Sequence, residues 1–201
     1  MFLKRFLDIL ISLVSLVIFL PIILIIGIMI KCDSSGPIIF KQRRIGRFKN
    51  EFYILKFRTM YTDTPSDLAT DLLKNSSKSI TSIGSVLRKT SLDEIPQLVN
   101  ILLGDMSLVG PRPSLWNQYD LIKKRDDKNI HKIRPGLTGW AQVNGRDELN
   151  DDKKVEYDKY YLDNQSLKLD ICILFKTFFN VLKSKGIVEG QKQESYTGDN
   201  K

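Results

Sequence analysis

Side chains that bind soft metals or carry redox chemistry are scarce in this sequence. It has two cysteines, Cys32 and Cys172, and one histidine, His131. The cysteines are far apart and neither belongs to a C-x-x-C pair. That excludes a disulfide framework and fits a reducing compartment. One histidine and two scattered thiols do not make a common zinc site, so oxygen-bound cations such as Mg2+ are the metals left open. The sequence has no G-x-x-x-x-G-K-[ST] loop and no dinucleotide fingerprint, so a nucleotide would have to be held by other means. Long Lys/Arg tracts and the motifs of nucleic-acid readers are absent, and no nucleic-acid partner is expected. There is no internal repeat.

What is present divides unevenly. The chain has 201 residues, a formal net charge of +8 and 42% hydrophobic residues, which suits one domain with a small appendage. The basic balance favours anionic lipid or phosphorylated substrates. Apolar residues concentrate at the N-terminus, where Ile9 to Ile30 carry no charge. About 20 helical residues cross a bilayer core, so this run is long enough. It is too long for the apolar region of a signal peptide, and Lys31 and Asp33 follow it in place of a small-residue cleavage site. Pro21 interrupts it and predicts a kink. Lys4 and Arg5 precede the run; Lys31, Lys41, Arg43, Arg44 and Arg47 follow it. Cytoplasmic flanks carry the Lys/Arg excess. Two arrangements satisfy the pattern: a re-entrant helical hairpin bent at Pro21, or a proline-kinked transmembrane helix. Ser12 and Ser15 are placed to bond freed carbonyls or a neighbouring segment.

Further along, Ile38–Phe40 and Phe52–Phe57 are β-prone. A weak helix is expected around Asp67–Lys74 within a polar loop. Helices are expected at Ile83–Lys89, from near Ser91 to Leu103, at Asn117–Asn129 and at Val155–Leu162. In residues 169–185, Leu169, Ile173, Leu174, Phe175, Phe178, Val181 and Leu182 recur at helical spacing among lysines. Core packing and an interfacial amphipathic helix both fit that pattern. Cys172, inside it, is expected in the core or facing lipid. The tail beyond residue 188 is polar and expected to be disordered.

The stretch Thr90-Ser91-Leu92-Asp93-Glu94-Ile95-Pro96-Gln97-Leu98 opens a helix. Proline is tolerated in a first turn, so Asp93 is the favoured N-cap, with Ser91 and Glu94 as a capping box the competing reading. Arginines on stiff turns surround this stretch in the sequence. Arg112 stands between Pro111 and Pro113, Arg134 precedes Pro135-Gly136, and Arg146 follows Asn144-Gly145. Arg88 precedes the acidic pair, and Lys56 and Arg58 close a strand. Guanidinium groups bind phosphate bidentately, and the set suggests a diphosphate site.

With these residues in view, the chain resembles the small monotopic phosphoglycosyl transferases, bacterial sugar transferases that initiate capsule, O-antigen and glycan assembly. The resemblance runs from about residue 3 to residue 188. Its blocks are KFRTM (56–60), RKTSLDEIPQLVNILLGDMSLVGPRP (88–113) and RPGLTGWAQVNGR (134–146). It implies a mostly helical α+β fold, with a re-entrant membrane helix-break-helix at 1–35 bent at Pro21 and a cytoplasmic catalytic domain with interfacial amphipathic helices at 36–188. Asp93 is implied as nucleophile and Glu94 as a Mg2+ ligand. Arg58, Arg88 and Arg112 are implied at the phosphate site, Asp170 near the active site, and Arg134 and Arg146 near the nucleotide-sugar. The implied reaction moves a sugar-1-phosphate from a UDP-sugar to polyprenyl (undecaprenyl) phosphate at the bacterial cytoplasmic membrane and releases UMP, through a covalent phosphosugar on Asp93. The sugar is not readable, although the resemblance points toward N-acetylated, often 6-deoxy, donors. A homodimer stays open. One departure is Leu20-Pro21, where many members have Ser-Pro at the bend.

Overall fold

The apolar N-terminal run folds as one helix, α1 (Phe2–Asp33), which passes through Pro21 without ending. Proline removes one backbone bond but need not terminate a helix whose other bonds hold, so the helical hydrogen bonding resumes beyond Pro21 and the two expected halves are joined without a non-helical link. The computed structural model describes residues 2–65, 79–145 and 148–182. The expected helix at 67–74 and the tail beyond 188 lie outside the described residues.

One stripe of α1 faces the rest of the protein along its length. Asp8, Ser12, Ile26 and Ile30 are buried, and Leu16, Phe19 and Ile23 pack against the main core. The Ser12 hydroxyl finds no hydrogen-bond partner among the described residues. The opposite face, with Val17, Ile18 and Ile28, is about two-thirds exposed (67%, 65% and 65%). Both ends are fastened to the same body. At the start, Lys4 pairs with Asp170 at 2.7 Å, and Arg5 donates to the Ile101 and Leu102 carbonyls. At the end, the buried Arg58 guanidinium donates to the carbonyls of Ile30, Ser34 and Ser35. Ser34 and Ser35 lie just past the last residue of α1, so the guanidinium closes off the C-terminal end of the helix.

Strands β1 (Ile39–Ile45) and β2 (Glu51–Phe57) form an antiparallel hairpin, with Ile39 opposite Phe57 and Ile45 opposite Glu51. Next come α2 (Ser82–Thr90), capped by the Thr81 hydroxyl, and α3 (Gln97–Leu103). Asn100 of α3 stitches itself to β2, since its side chain accepts from Leu55 N and donates to the Tyr53 carbonyl. Then follow β3 (Ser107–Val109), α4 (Tyr119–Asp127), β4 (Gly136–Thr138), α5 (Trp140–Val143), α6 (Asp151–Asp163) and α7 (Leu167–Leu182). β3 and β4 pair in parallel. The loops around them cross so closely that a Cβ on Gly110 would lie 2.4 Å from the Arg134 carbonyl oxygen, and one on Gly136 only 2.1 Å from Gly110 N. Glycine is required there for the backbones to touch.

The main core joins Ile54, Phe57, Leu87, Leu98, Ile101, Met106, Val109, Tyr161 and Ile173 with Ile26 and Ile30 of α1. The N-terminal helix therefore shares its hydrophobic core with the domain. α7 is split between two faces: Ile173 is fully buried, while Ile171, Phe175 and Phe178 remain exposed. Cys172, beside Ile171, is exposed, as is Cys32.

A buried ion pair ties α4 to α6, with Arg125 donating to Asp158 at 2.6 Å. Both side chains are almost wholly buried (5% and 1% exposed). Removing one member of such a pair strands the other in a low-dielectric interior. Asp158→Asn is therefore expected to cost about 3–5 kcal/mol of stability, read as a lowered Tm and urea midpoint.

Candidate active site

α2 ends because Ser91 adopts a left-handed conformation (φ 55°). That residue turns the chain into a tight 3-10 turn, Leu92–Glu94, and α3 begins only after Pro96. Neither expected cap is used: no side-chain capping bond is made from Ser91 or at the start of α3. The physical reason is the backbone itself. The Ser91 reversal separates the acidic turn from α2. Pro96, lacking an N–H, stands just ahead of α3, where an amide would go unpaired anyway. The result is that Asp93 and Glu94 are presented on a short turn between two helices.

Lys56, near the end of β2, reaches both carboxylates. Its ammonium lies 2.7 Å from Glu94 Oε1 and 3.4 Å from Asp93 Oδ2. Arg112 meets the same Glu94 oxygen at 3.3 Å. Arg88, in the last turn of α2, is half-buried, and its charge favours ionised Asp93. Asp93 itself is 8% exposed. Burial pushes its carboxyl above the usual carboxylate range, against the pull of Lys56 and Arg88, and the neighbouring Glu94 charge adds to the rise.

The loop bearing Arg112 is braced from behind. Arg125 donates to the Arg112 carbonyl at 2.8 Å and Arg44 to the Pro113 carbonyl at 3.0 Å. Arg44 also donates to Gln42. Burial, aided by the adjacent Arg112 charge, brings Arg44 down to about 9.

The structure thus brings together four of the sequence-predicted residues, Asp93, Glu94, Arg88 and Arg112, and engages Arg58, Arg134 and Asp170 elsewhere. Arg58 caps the end of α1. Arg134 donates to the Gly104 carbonyl at 2.8 Å. Asp170 accepts from Lys4 and from the Tyr161 hydroxyl. Arg146 lies outside the described residues. Two further members of the cluster, Lys56 and Arg44, had been given no role by the resemblance, although Lys56 stood in the basic set that suggested a diphosphate site. Lys56 had a signal, since strand alternation sets it on the face opposite Phe57. Arg44 had none, being one basic residue in a basic run.

For Mg2+ the donor set is small. Among the described residues no group of three or more His, Cys, Asp or Glu forms a metal cluster. Two adjacent carboxylates suit a cation that takes one or two protein carboxylates and completes its shell with substrate phosphates and water. Asp93 and Glu94 fit that requirement.

Comparison with known proteins gives the family. Residues 1–184 match the family described as bacterial sugar transferase. The UDP-N-acetylgalactosamine-undecaprenyl-phosphate N-acetylgalactosaminephosphotransferase of Aeromonas hydrophila is 39% identical over 92% of this chain and 45% of its own length. An uncharacterized sugar transferase of Bacillus subtilis is 40% identical over 98% of this chain and 97% of its own. The UDP-glucose:undecaprenyl-phosphate glucose-1-phosphate transferase of Escherichia coli is 37% identical over 91% and 41%. The chain thus spans less than half of the Aeromonas and Escherichia proteins and nearly all of the Bacillus one. By a family match over almost its whole length, it belongs to the bacterial sugar transferases.

Proposed function

We propose that this chain transfers a sugar-1-phosphate from a UDP-sugar to undecaprenyl phosphate and releases UMP, with Asp93 as the nucleophile. One observation carries the reading. A nearly buried aspartate stands beside a glutamate, with Lys56, Arg88 and Arg112 converging on the pair. Relatives named for this chemistry on UDP-linked and undecaprenyl substrates support it.

The chemistry follows from the charges. Asp93 attacks the phosphorus that carries the sugar. The bond from that phosphorus to the bridging oxygen breaks, and UMP departs with the electron pair. The sugar phosphate is left as an acyl phosphate on Asp93. An oxygen of undecaprenyl phosphate then attacks the same phosphorus and the Asp93 carboxylate leaves. Lys56, Arg88 and Arg112 offset the repulsion between a carboxylate and a diphosphate. Glu94 would hold Mg2+ together with substrate phosphate oxygens and water, and the ion would supply Lewis-acid stabilisation of the phosphoryl oxygens. Because burial raises Asp93, the attacking form is lost on acidification earlier than for a free carboxylate.

The membrane arrangement we propose is re-entrant, with the catalytic body on the cytoplasmic face. Both ends of α1 are fastened to one body, its outer face is apolar, and basic residues flank both ends. The exposed Phe175 and Phe178 of α7 suit the interfacial zone of the bilayer.

Asp93→Asn is expected to abolish UMP release from a panel of UDP-sugars with undecaprenyl phosphate, and Glu94→Gln to reduce it by about 100- to 10,000-fold, the typical range for a positioned acid-base group. Release of UDP in place of UMP would refute the reading. Intact-mass analysis with donor alone is expected to show the phosphosugar on wild-type protein and not on Asp93→Asn. The pH profile gives a separate check. Lys56 favours ionised Asp93, so Lys56→Met is expected to move the acid limb of kcat/KM to higher pH; a shift to lower pH would contradict the assignment.

A further inference from the structure

The first turns of α1 do more than bury an apolar stripe. Asp8 is 4% exposed, although it begins an otherwise uncharged run. Its Oδ2 accepts from the Ser107 hydroxyl at 2.8 Å and its Oδ1 from Leu108 N at 3.1 Å. Lys4, one turn earlier, pairs with Asp170, and the Tyr161 hydroxyl lies 2.6 Å from that carboxylate and 3.1 Å from the Val109 carbonyl. All three residues of β3 are therefore held from α1, directly or through Asp170 and Tyr161. Arg5 takes the carbonyls of Ile101 and Leu102 at the end of α3.

These contacts fall on two particular segments. β3 runs directly into Gly110-Pro111-Arg112. α3 follows directly from the turn that bears Asp93 and Glu94. The far ends of the two segments carrying Glu94 and Arg112 are thus clamped by a single stretch of α1, and their near ends meet in the Arg112–Glu94 contact. An apolar side chain at position 8 would leave the Leu108 amide and the Ser107 hydroxyl without their acceptor, so the carboxylate ties α1 to β3 by more than apolar packing.

We propose that Asp8 is a positioning residue which, by fixing β3, sets where Arg112 stands against Glu94, so that the seating of α1 governs the competence of the site. The inference rests on the function proposed above.

A double-mutant cycle tests it, with full-length protein in phospholipid nanodiscs and UMP release from the UDP-sugar panel. Sites that share no contact contribute independently to the measured effect, and coupling shows as non-additivity. Asp8→Leu is expected to lower kcat/KM about tenfold or more in the wild-type background and less than about twofold beside Arg112→Met. Asp8→Asn keeps an acceptor oxygen and is expected to retain turnover within about threefold of wild type. Ser107→Ala removes a single hydroxyl and takes the place of Asp8→Leu in the same cycle if that variant does not fold, as judged by thermal melting. Equal losses in the two Arg112 backgrounds, or wild-type turnover in Asp8→Leu, would overturn the inference while leaving the function standing. An inactive wild type with every donor would overturn the function and this inference with it.

Discussion

Two neighbouring carboxylates cannot share a nearly water-free turn without a counter-charge, and Lys56 supplies it. Its ammonium bridges Asp93 and Glu94 from the end of a strand. That strand is in turn held by Asn100, on the helix that the acidic turn leads into. The arrangement closes on itself: turn, helix, strand and lysine each place the next. A displacement of β2 would expose the mutual repulsion of the pair, so the hairpin is an electrostatic component of the site as well as a layer of the fold.

Around this centre the arginines divide their labour. Arg112 faces Glu94 at the rim of the cluster, whereas Arg125 and Arg44 grip the carbonyls of the loop that carries it. Buried guanidiniums are expensive unless their donors are used. Arg125 offsets the cost with Asp158 and the Arg112 carbonyl. Arg44, with Arg112 beside it, is moved down to about 9. The price of a well-placed cation at the mouth of the site is thus distributed over residues further inside.

Much of this was legible in the sequence. The apolar helix, both strands of the hairpin and the helices at 82–90, 151–163 and 167–182 follow from periodicity and punctuation. The Asp93–Glu94 pair with Arg88 and Arg112 follows from arginines on stiff turns around an acidic stretch. Arg58 and Arg134 have the same chemistry and lie near similar turns, yet they serve carbonyls at Ser34 and Gly104. A sequence displays a donor without the acceptor that tertiary folding will bring to it. Asp170 shows the same limit, because its partner Lys4 lies at the other end of the chain. The start of α3 was hidden for a local reason: the left-handed Ser91 carries no strong residue signature, and Asp93 looked like a cap while serving as part of a charge cluster.

The crossing of the loops at Gly110 and Gly136 has a mechanical consequence. Main chain lies against main chain there, with the Gly110 amide bonded to the Thr138 carbonyl and the Gly136 amide to that of Pro111. A joint of that kind has no slack. The arm bearing Arg112 and the arm bearing Arg134 are thus joined backbone to backbone, and a side chain added at either glycine would force the two arms apart.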